Sequence, residues 1–205
     1  VLIDAGCELD GYASDITRTF PANGRFTGPQ RDLYDLVLAS QDAAIAATRP
    51  GARFTDPHEA TVKVLTQGMF DLGLLDRDQH GTLDDAIHHR HYFAHYMHRT
   101  GHWLGMDVHD CGSYVEPGEV GQAHERKDPL SGETITDRPS RILRPGMALT
   151  IEPGLYVRPS DKIPKEFWNI GIRIEDDAFV TETGCELITR DVPVKAEEIE
   201  ALMRG

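Results

Sequence analysis

"VLIDAGCELDGYASDITRTF", Val1 to Phe20, decides how the rest of the chain is read. Val1 to Ala5 is a short apolar run closed by Gly6, and Ser14 to Phe20 alternates with period two, which sets Asp15, Thr17 and Thr19 on one face. With "ELDGY" between them, the two runs predict a β-hairpin. Asp4 ends the first strand and Asp15 begins the second, so the hairpin can bring two carboxylates opposite each other.

Two further acids lie in apolar surroundings. Glu152 is embedded in "MALTIEPGLYV" and Glu175 in "IGIRIEDDAFVT", two strand-like runs separated by a polar loop at Arg158 to Trp168. A desolvated carboxylate needs a partner, because otherwise its pKa rises until it protonates. Singly, each acid has a plainer role: Asp4 or Asp15 capping a turn, Glu175 pairing with Arg173, Glu152 bonding backbone. Together with His102 they suggest one shared site. Four carboxylates about 5 Å apart repel by roughly 3 kcal/mol per pair at an effective dielectric of about 20. Two divalent cations would cancel that charge. Carboxylate-rich ligation with a single imidazole favours Mn²⁺, Fe²⁺ or Co²⁺ over the sites zinc usually occupies. Such a pair of ions commonly bridges a water and lowers its pKa, so the chemistry suggested is metal-assisted hydrolysis.

Between these segments, Pro29 opens a helical stretch to Thr48, and a second helix starts near Asp56 and Pro57 with Val62, Leu65, Met69 and Leu72 at helical spacing. Eight of the ten histidines fall between His80 and His109. Gly112 to Ser140 is polar and without periodicity, and reads as a long loop excursion. "KAEEIEALM" predicts a short C-terminal helix.

The 205 residues carry a formal net charge of −13, which removes the basic footprint of a nucleic-acid binder. No apolar run reaches the roughly 18 residues that cross a bilayer. Cys7, Cys111 and Cys185 form no CxxC pair, and their odd number fits a reducing compartment, the cytoplasm. "HRTGH" lacks the glutamate of a zincin, and neither a GxSxG elbow nor a GxxxxGKS/T loop occurs.

"IDAGCELDGYASDITRTFP", "HWLGMDVHD", "LRPGMALTIEPGLY" and "NIGIRIEDDAFVTETG" resemble the pita-bread metallopeptidases, in particular the Xaa-Pro aminopeptidases (aminopeptidase P). The resemblance runs along nearly the whole chain and departs from it at the excursion 112–140. It implies an α+β fold, the C-terminal portion of a pita-bread catalytic domain over 1–205, with a curved antiparallel sheet covered by helices. The domain would be incomplete at its N-terminal side, since the sequence opens without methionine inside a strand, and a separate N-terminal domain of the family would be absent. The resemblance further implies five metal ligands, Asp4, Asp15, His102, Glu152 and Glu175, holding two Mn²⁺ ions, with Co²⁺, Fe²⁺ or Zn²⁺ as substitutes. Asp15 and Glu175 would bridge the ions, Asp4 would serve one, and His102 with Glu152 the other. His98 and His109 would contact substrate or the developing oxyanion, and Arg173 with Tyr156 would gate or support the site. His80, His88, His89, His91 and His95 match no motif residue and read as solvated or satisfied.

The activity implied is removal of the first residue from peptides with proline second. A hydroxide bridging the metals would attack, and Glu152 would carry the proton to the leaving nitrogen. Peptides with an Xaa-Pro N-terminus are the expected partners, and family members are often homo-oligomers. A prolidase, which cleaves the Xaa-Pro dipeptide, shares all five ligands and is the nearest rival. A non-catalytic pita-bread binding module is the more distant one, and the complete ligand set argues against it.

Overall fold

The computed structural model describes residues 1–120, 123–127, 132, 134–136 and 139–205. Its first twenty residues form one hairpin inside another. β1 (Leu2–Asp4) encloses β2 (Glu8–Leu9) and β3 (Tyr12–Ala13) and returns antiparallel on β4 (Thr17–Thr19). Asp10 and Gly11 both have positive φ, 55° and 84°, which is the twist a two-residue type I′ turn requires. The register sets Asp4 opposite Thr17, so Asp15 lies two residues before the residue facing Asp4.

α1 (Gly28–Ala47) starts at Thr27, whose hydroxyl accepts the Gln30 N–H while the Gln30 side chain accepts the Thr27 N–H. α2 (Asp56–Asp71) follows, and the short helices α3 (Arg77–His80) and α4 (Leu83–His88) lead into a 3₁₀ turn at His91–Ala94. Leu33, Tyr34 and Val37 of α1 meet Val62, Leu65 and Met69 of α2 over Leu155, Val157, Ile172 and Ile174. The helices therefore cover one face of the sheet, whose other apolar cluster gathers Ala44, Trp103, Leu143, Leu149, Ile151, Ala178 and Val180.

Within the excursion 112–140, β5 (Ala123–Lys127) pairs with β6 (Thr134–Thr136). This corrects the expectation of a loop. The register between the strands shifts, so the period-two signal that marks a regular hairpin is missing from the sequence. Residues 121, 122, 128–131, 133, 137 and 138 of the expected insertion lie outside the described residues. At its base Val115 bridges Ser140, and the buried Glu116 accepts the Ile142 N–H and pairs with Arg144.

The two apolar runs are each broken once, and both breaks fall at a glutamate. β7 (Ala148–Ile151) and β8 (Gly154–Val157) flank Glu152, while β9 (Ile170–Arg173) and β10 (Asp176–Val180) flank Glu175. Ile151 faces Asp176 and Gly154 faces Arg173, so a single antiparallel register runs through the gap and sets Glu152 opposite Glu175. Pro153 has no N–H to give the ladder, but its carbonyl accepts the Ile174 N–H at 3.2 Å. Beyond Glu175, the Glu175 N–H bonds the Thr17 carbonyl at 3.0 Å. Beyond Glu152, the Glu152 N–H bonds the Thr100 carbonyl at 2.7 Å, and Trp103 bridges Leu149. Five segments thus lie side by side, carrying in order Asp4, Asp15, Glu175, Glu152 and His102. A Cβ on Gly101 would lie 2.1 Å from the Thr150 carbonyl oxygen, so only glycine lets the last segment come this close.

β11 (Cys185–Leu187) adds to β10, and α5 (Ala196–Arg204) closes the chain. Beneath the sheet Arg18 donates to the carbonyls of Thr17, Glu175, Val192 and Pro193 and to the Asp176 carboxylate. Asp176 is fully buried, forms an ion pair with Arg190 and also accepts from Gln41 and Thr189. No helix among the described residues is long and apolar enough to cross a membrane. Asp176→Ala would leave two guanidinium groups without their shared counter-ion, and a loss of about 3–5 kcal/mol is expected. Urea unfolding of the variant measures it.

Candidate metal centre

The five segments converge their polar side chains on one face. His102 Nε2 lies 3.4 Å from Asp15 Oδ2 and 3.5 Å from Glu152 Oε1, and donor atoms of Asp15, His102 and Glu175 all fall within 4.8 Å of one another. His102 Nδ1 donates to the Trp103 carbonyl at 2.9 Å, so Nε2 is the nitrogen turned toward the acids. Glu175 Oε2 accepts the Thr17 hydroxyl at 2.5 Å, and the same hydroxyl oxygen accepts Arg173 Nε–H at 3.2 Å. Arg173 reaches past Glu175 to Asp4, at 2.5 Å. The simple Arg173–Glu175 pair is therefore replaced by a chain in which Thr17 stands between them.

The charges respond to this crowding. Burial, then the charge of Glu152, pushes the Glu175 carboxyl up to about 8. Burial also raises Glu152, and burial followed by the neighbouring Asp15 raises the half-exposed Asp4. Asp15 moves the other way, held down by its hydrogen bond to His102. Burial works against a charge on His102, but Asp15, the Trp103 carbonyl and the charge of Glu152 outweigh it and bring the imidazole to about 8. Near neutral pH the cluster thus takes up protons at Glu175 and His102, positive charge that a divalent cation can supply in their place. Asp15, Glu175 and His102, two carboxylates and one imidazole with its second nitrogen fixed by a carbonyl, are the donors close enough together to fit such a cation.

The remaining expected residues sit around this cluster. His109 is exposed, with its ring edge-on to His102 at 4.2 Å between centroids. His98 is set further back: Nδ1 donates to the Arg99 carbonyl at 2.7 Å, and Nε2 accepts the Tyr156 hydroxyl at 2.9 Å. Burial lowers the His98 pKa, so the ring is neutral at pH 7, and burial raises that of Tyr156. Of the unassigned histidines, His95 is buried with Nδ1 3.3 Å from the Tyr156 carbonyl, while His80 bonds the Asp76 backbone.

Three residues had no role in the site assigned from the sequence. Thr17 holds Glu175, Thr150 bonds the His102 N–H and lies 3.4 Å from Glu152, and the buried Asp177 accepts the Asp15 N–H at 3.1 Å. Burial pushes the Asp177 carboxyl up to about 6. Each lies two positions from an expected ligand, hence on the same strand face, and period two would have found them.

This constellation belongs to a known class. The model of metallopeptidase family M24 matches residues 1–182, and the chain belongs to that family, with its α+β pita-bread fold. Among its relatives, the Xaa-Pro aminopeptidase of Escherichia coli (strain K12) is 47% identical over 203 residues, 99% of this chain and 40% of that protein. The Xaa-Pro aminopeptidase of Haemophilus influenzae is 43% identical, again over 99% of this chain and 41% of that protein. The structure of aminopeptidase PepP from Pseudomonas aeruginosa superposes with a TM-score of 0.85 at 50% identity, covering 99% of this chain and 41% of that one. An Escherichia coli aminopeptidase P variant in complex with substrate gives 0.83 at 45%, covering 99% and 40%. The chain spans about two fifths of the length of these relatives.

The raised pKa values carry a sign. In the fold, Glu175 and His102 titrate near 8, above their ordinary values of 4.5 and 6.5. The metal-free folded state therefore binds more protons than the unfolded chain, and the stabilisation they contribute is lost as pH rises through about 8. Urea midpoints in chelator are expected to fall between about pH 5 and pH 8. Glu175→Gln should flatten that fall.

Proposed function

We propose that this chain carries the metal-binding machinery of an aminopeptidase that removes the N-terminal residue from peptides with proline in the second position. The observation that supports this most is the meeting of Asp15, His102, Glu152 and Glu175 from four adjacent segments, with His102 Nε2 turned inward. Asp4, Asp15, His102, Glu152 and Glu175 would hold two divalent ions. Oxygen-rich ligation favours Mn²⁺, with Co²⁺, Fe²⁺ or Zn²⁺ as substitutes. When bound, the ions polarise the scissile carbonyl and acidify the attacking water.

The chain's own groups do the rest. Glu152, kept basic enough by burial to hold a proton, takes one from the attacking water and returns it to the proline nitrogen as that leaves. His109, exposed beside His102, donates a hydrogen bond to the oxygen that gains charge. His98 and Tyr156 share a proton-bearing contact at the site's edge and orient the substrate backbone. Arg173 holds Asp4 in place and, through Thr17, Glu175. All of 1–205 is read as one catalytic domain, with 112–140 inserted in it. The three free cysteines support a cytoplasmic setting, and assembly into homo-oligomers follows the same resemblance.

Hydrolysis of an Xaa-Pro-Xaa tripeptide by the full-length protein tests the reading. Release of the first residue should disappear with chelator, return with Mn²⁺, and be absent in Asp15→Asn. Glu152→Gln should lower kcat by about 10²-fold or more, the range of a lost general base. Cleavage of the Xaa-Pro dipeptide alone would point to a prolidase instead.

A further inference from the structure

The stretch from Tyr96 to His102 carries two site histidines, yet none of it is regular helix or strand. One buried hydroxyl ties it down. Thr100 is 3% exposed, and its Oγ1 lies 2.6 Å from the Tyr96 hydroxyl and 2.9 Å from His58 Nδ1. Its carbonyl accepts the Glu152 N–H at 2.7 Å. We propose that Thr100, held by His58 and Tyr96, is a positioning residue for His98 and Glu152.

The geometry runs outward from that hydroxyl in two directions. Through the backbone, Thr100 fixes the height of Glu152 on its strand two residues before His102 enters the site. Through the side chain, it anchors fully buried Tyr96, whose ring stands edge-on to the His98 ring at 5.0 Å between centroids. His98 in turn meets the Tyr156 hydroxyl. The other anchor, His58, comes from the first turn of α2, so the helical layer is tied directly to the ligand-bearing segment.

Hydroxyl chemistry makes this arrangement directional. Thr100 Oγ1 has one proton to give, so it accepts from one partner and donates to the other. A valine would fill the same volume and support neither bond. Burial lowers the His58 imidazole to about 4, so the network holds one protonation state through neutral pH. A buried polar network of this kind, fully satisfied, selects one conformation of the segments it joins.

The test uses the full-length protein with Thr100→Val, Thr100→Ser, His58→Leu and His58→Asn. Tripeptide hydrolysis is followed together with thermal melting and histidine side-chain ¹⁵N spectra of the metal-free protein. Expected is a fall in kcat of about 10–100-fold for Thr100→Val and His58→Leu, the range seen when a supporting hydrogen bond is lost. Thr100→Ser and His58→Asn, which keep a polar atom in place, should recover most of it. KM should change little. The His98 nitrogen resonances should shift in the valine and leucine variants and stay put in the other two.

Wild-type kinetics and wild-type His98 resonances in Thr100→Val overturn the proposal. So does an equal loss in Thr100→Val and Thr100→Ser that tracks melting temperature alone. The kinetic arm rests on the peptidase reading, but the spectra do not. If the wild-type protein cleaves no peptide, that reading fails, and the His98 resonances still decide between positioning and simple packing. Should Thr100→Val not fold, the His58 pair carries the same comparison.

Discussion

Carboxylates that converge on one face of a sheet repel one another, by roughly 3 kcal/mol per pair at about 5 Å and an effective dielectric of about 20. In this chain four of them do so, and much of the structure answers to that congestion. Arg173 leans over Asp4, Thr17 donates to Glu175, Thr150 lies beside Glu152, and His102 stands between Asp15 and Glu152. Burial and crowding displace the proton affinities, upward at Glu175, upward at His102, whose charge the acids favour, and downward at Asp15, which His102 stabilises. A site that gathers protons at neutral pH is one where a divalent cation is strongly favoured, because it replaces them with charge the geometry already accommodates.

The opposite face of the same strands shows the contrasting solution. Alternation sends Asp176 and Arg18 away from the acids and into the protein, where Arg18 meets four carbonyls and one carboxylate. Every charge there has a partner of opposite sign within the fold, with Arg190, Gln41 and Thr189 completing the shell around Asp176. One face pairs its charges internally and the other is left acidic. The first gives the sheet its rigidity, and the second gives it a chemistry.

The breaks at Glu152 and Glu175 connect fold to site. An uninterrupted pair of strands would hold both glutamates in a flat ladder, whereas the paired interruptions leave the register intact and let the neighbouring segments close in from either side. Gly101 makes the approach possible on the His102 side by lacking a Cβ where the Thr150 carbonyl lies. α1 and α2 pack on the far side of these strands, and His58 extends that support to the segment bearing the histidines.

Much of this was legible in the residues alone. Apolar periodicity located the two long helices, alternation located the outer hairpin, and acids in apolar runs marked Glu152 and Glu175, because burying a charge is costly enough to need a reason. The sequence by itself determined which residues could form the centre and that they would need positive charge. Its reach ended where contacts join positions far apart in the chain. That Glu152 and Glu175 share a register across a broken ladder, that Thr17 comes between Arg173 and Glu175, that irregular strands occupy part of 112–140, and that His58 holds Thr100 were decided by tertiary structure alone. Local propensity reports on neighbours in sequence, while these contacts depend on which strands pair and on the distances at which they pack.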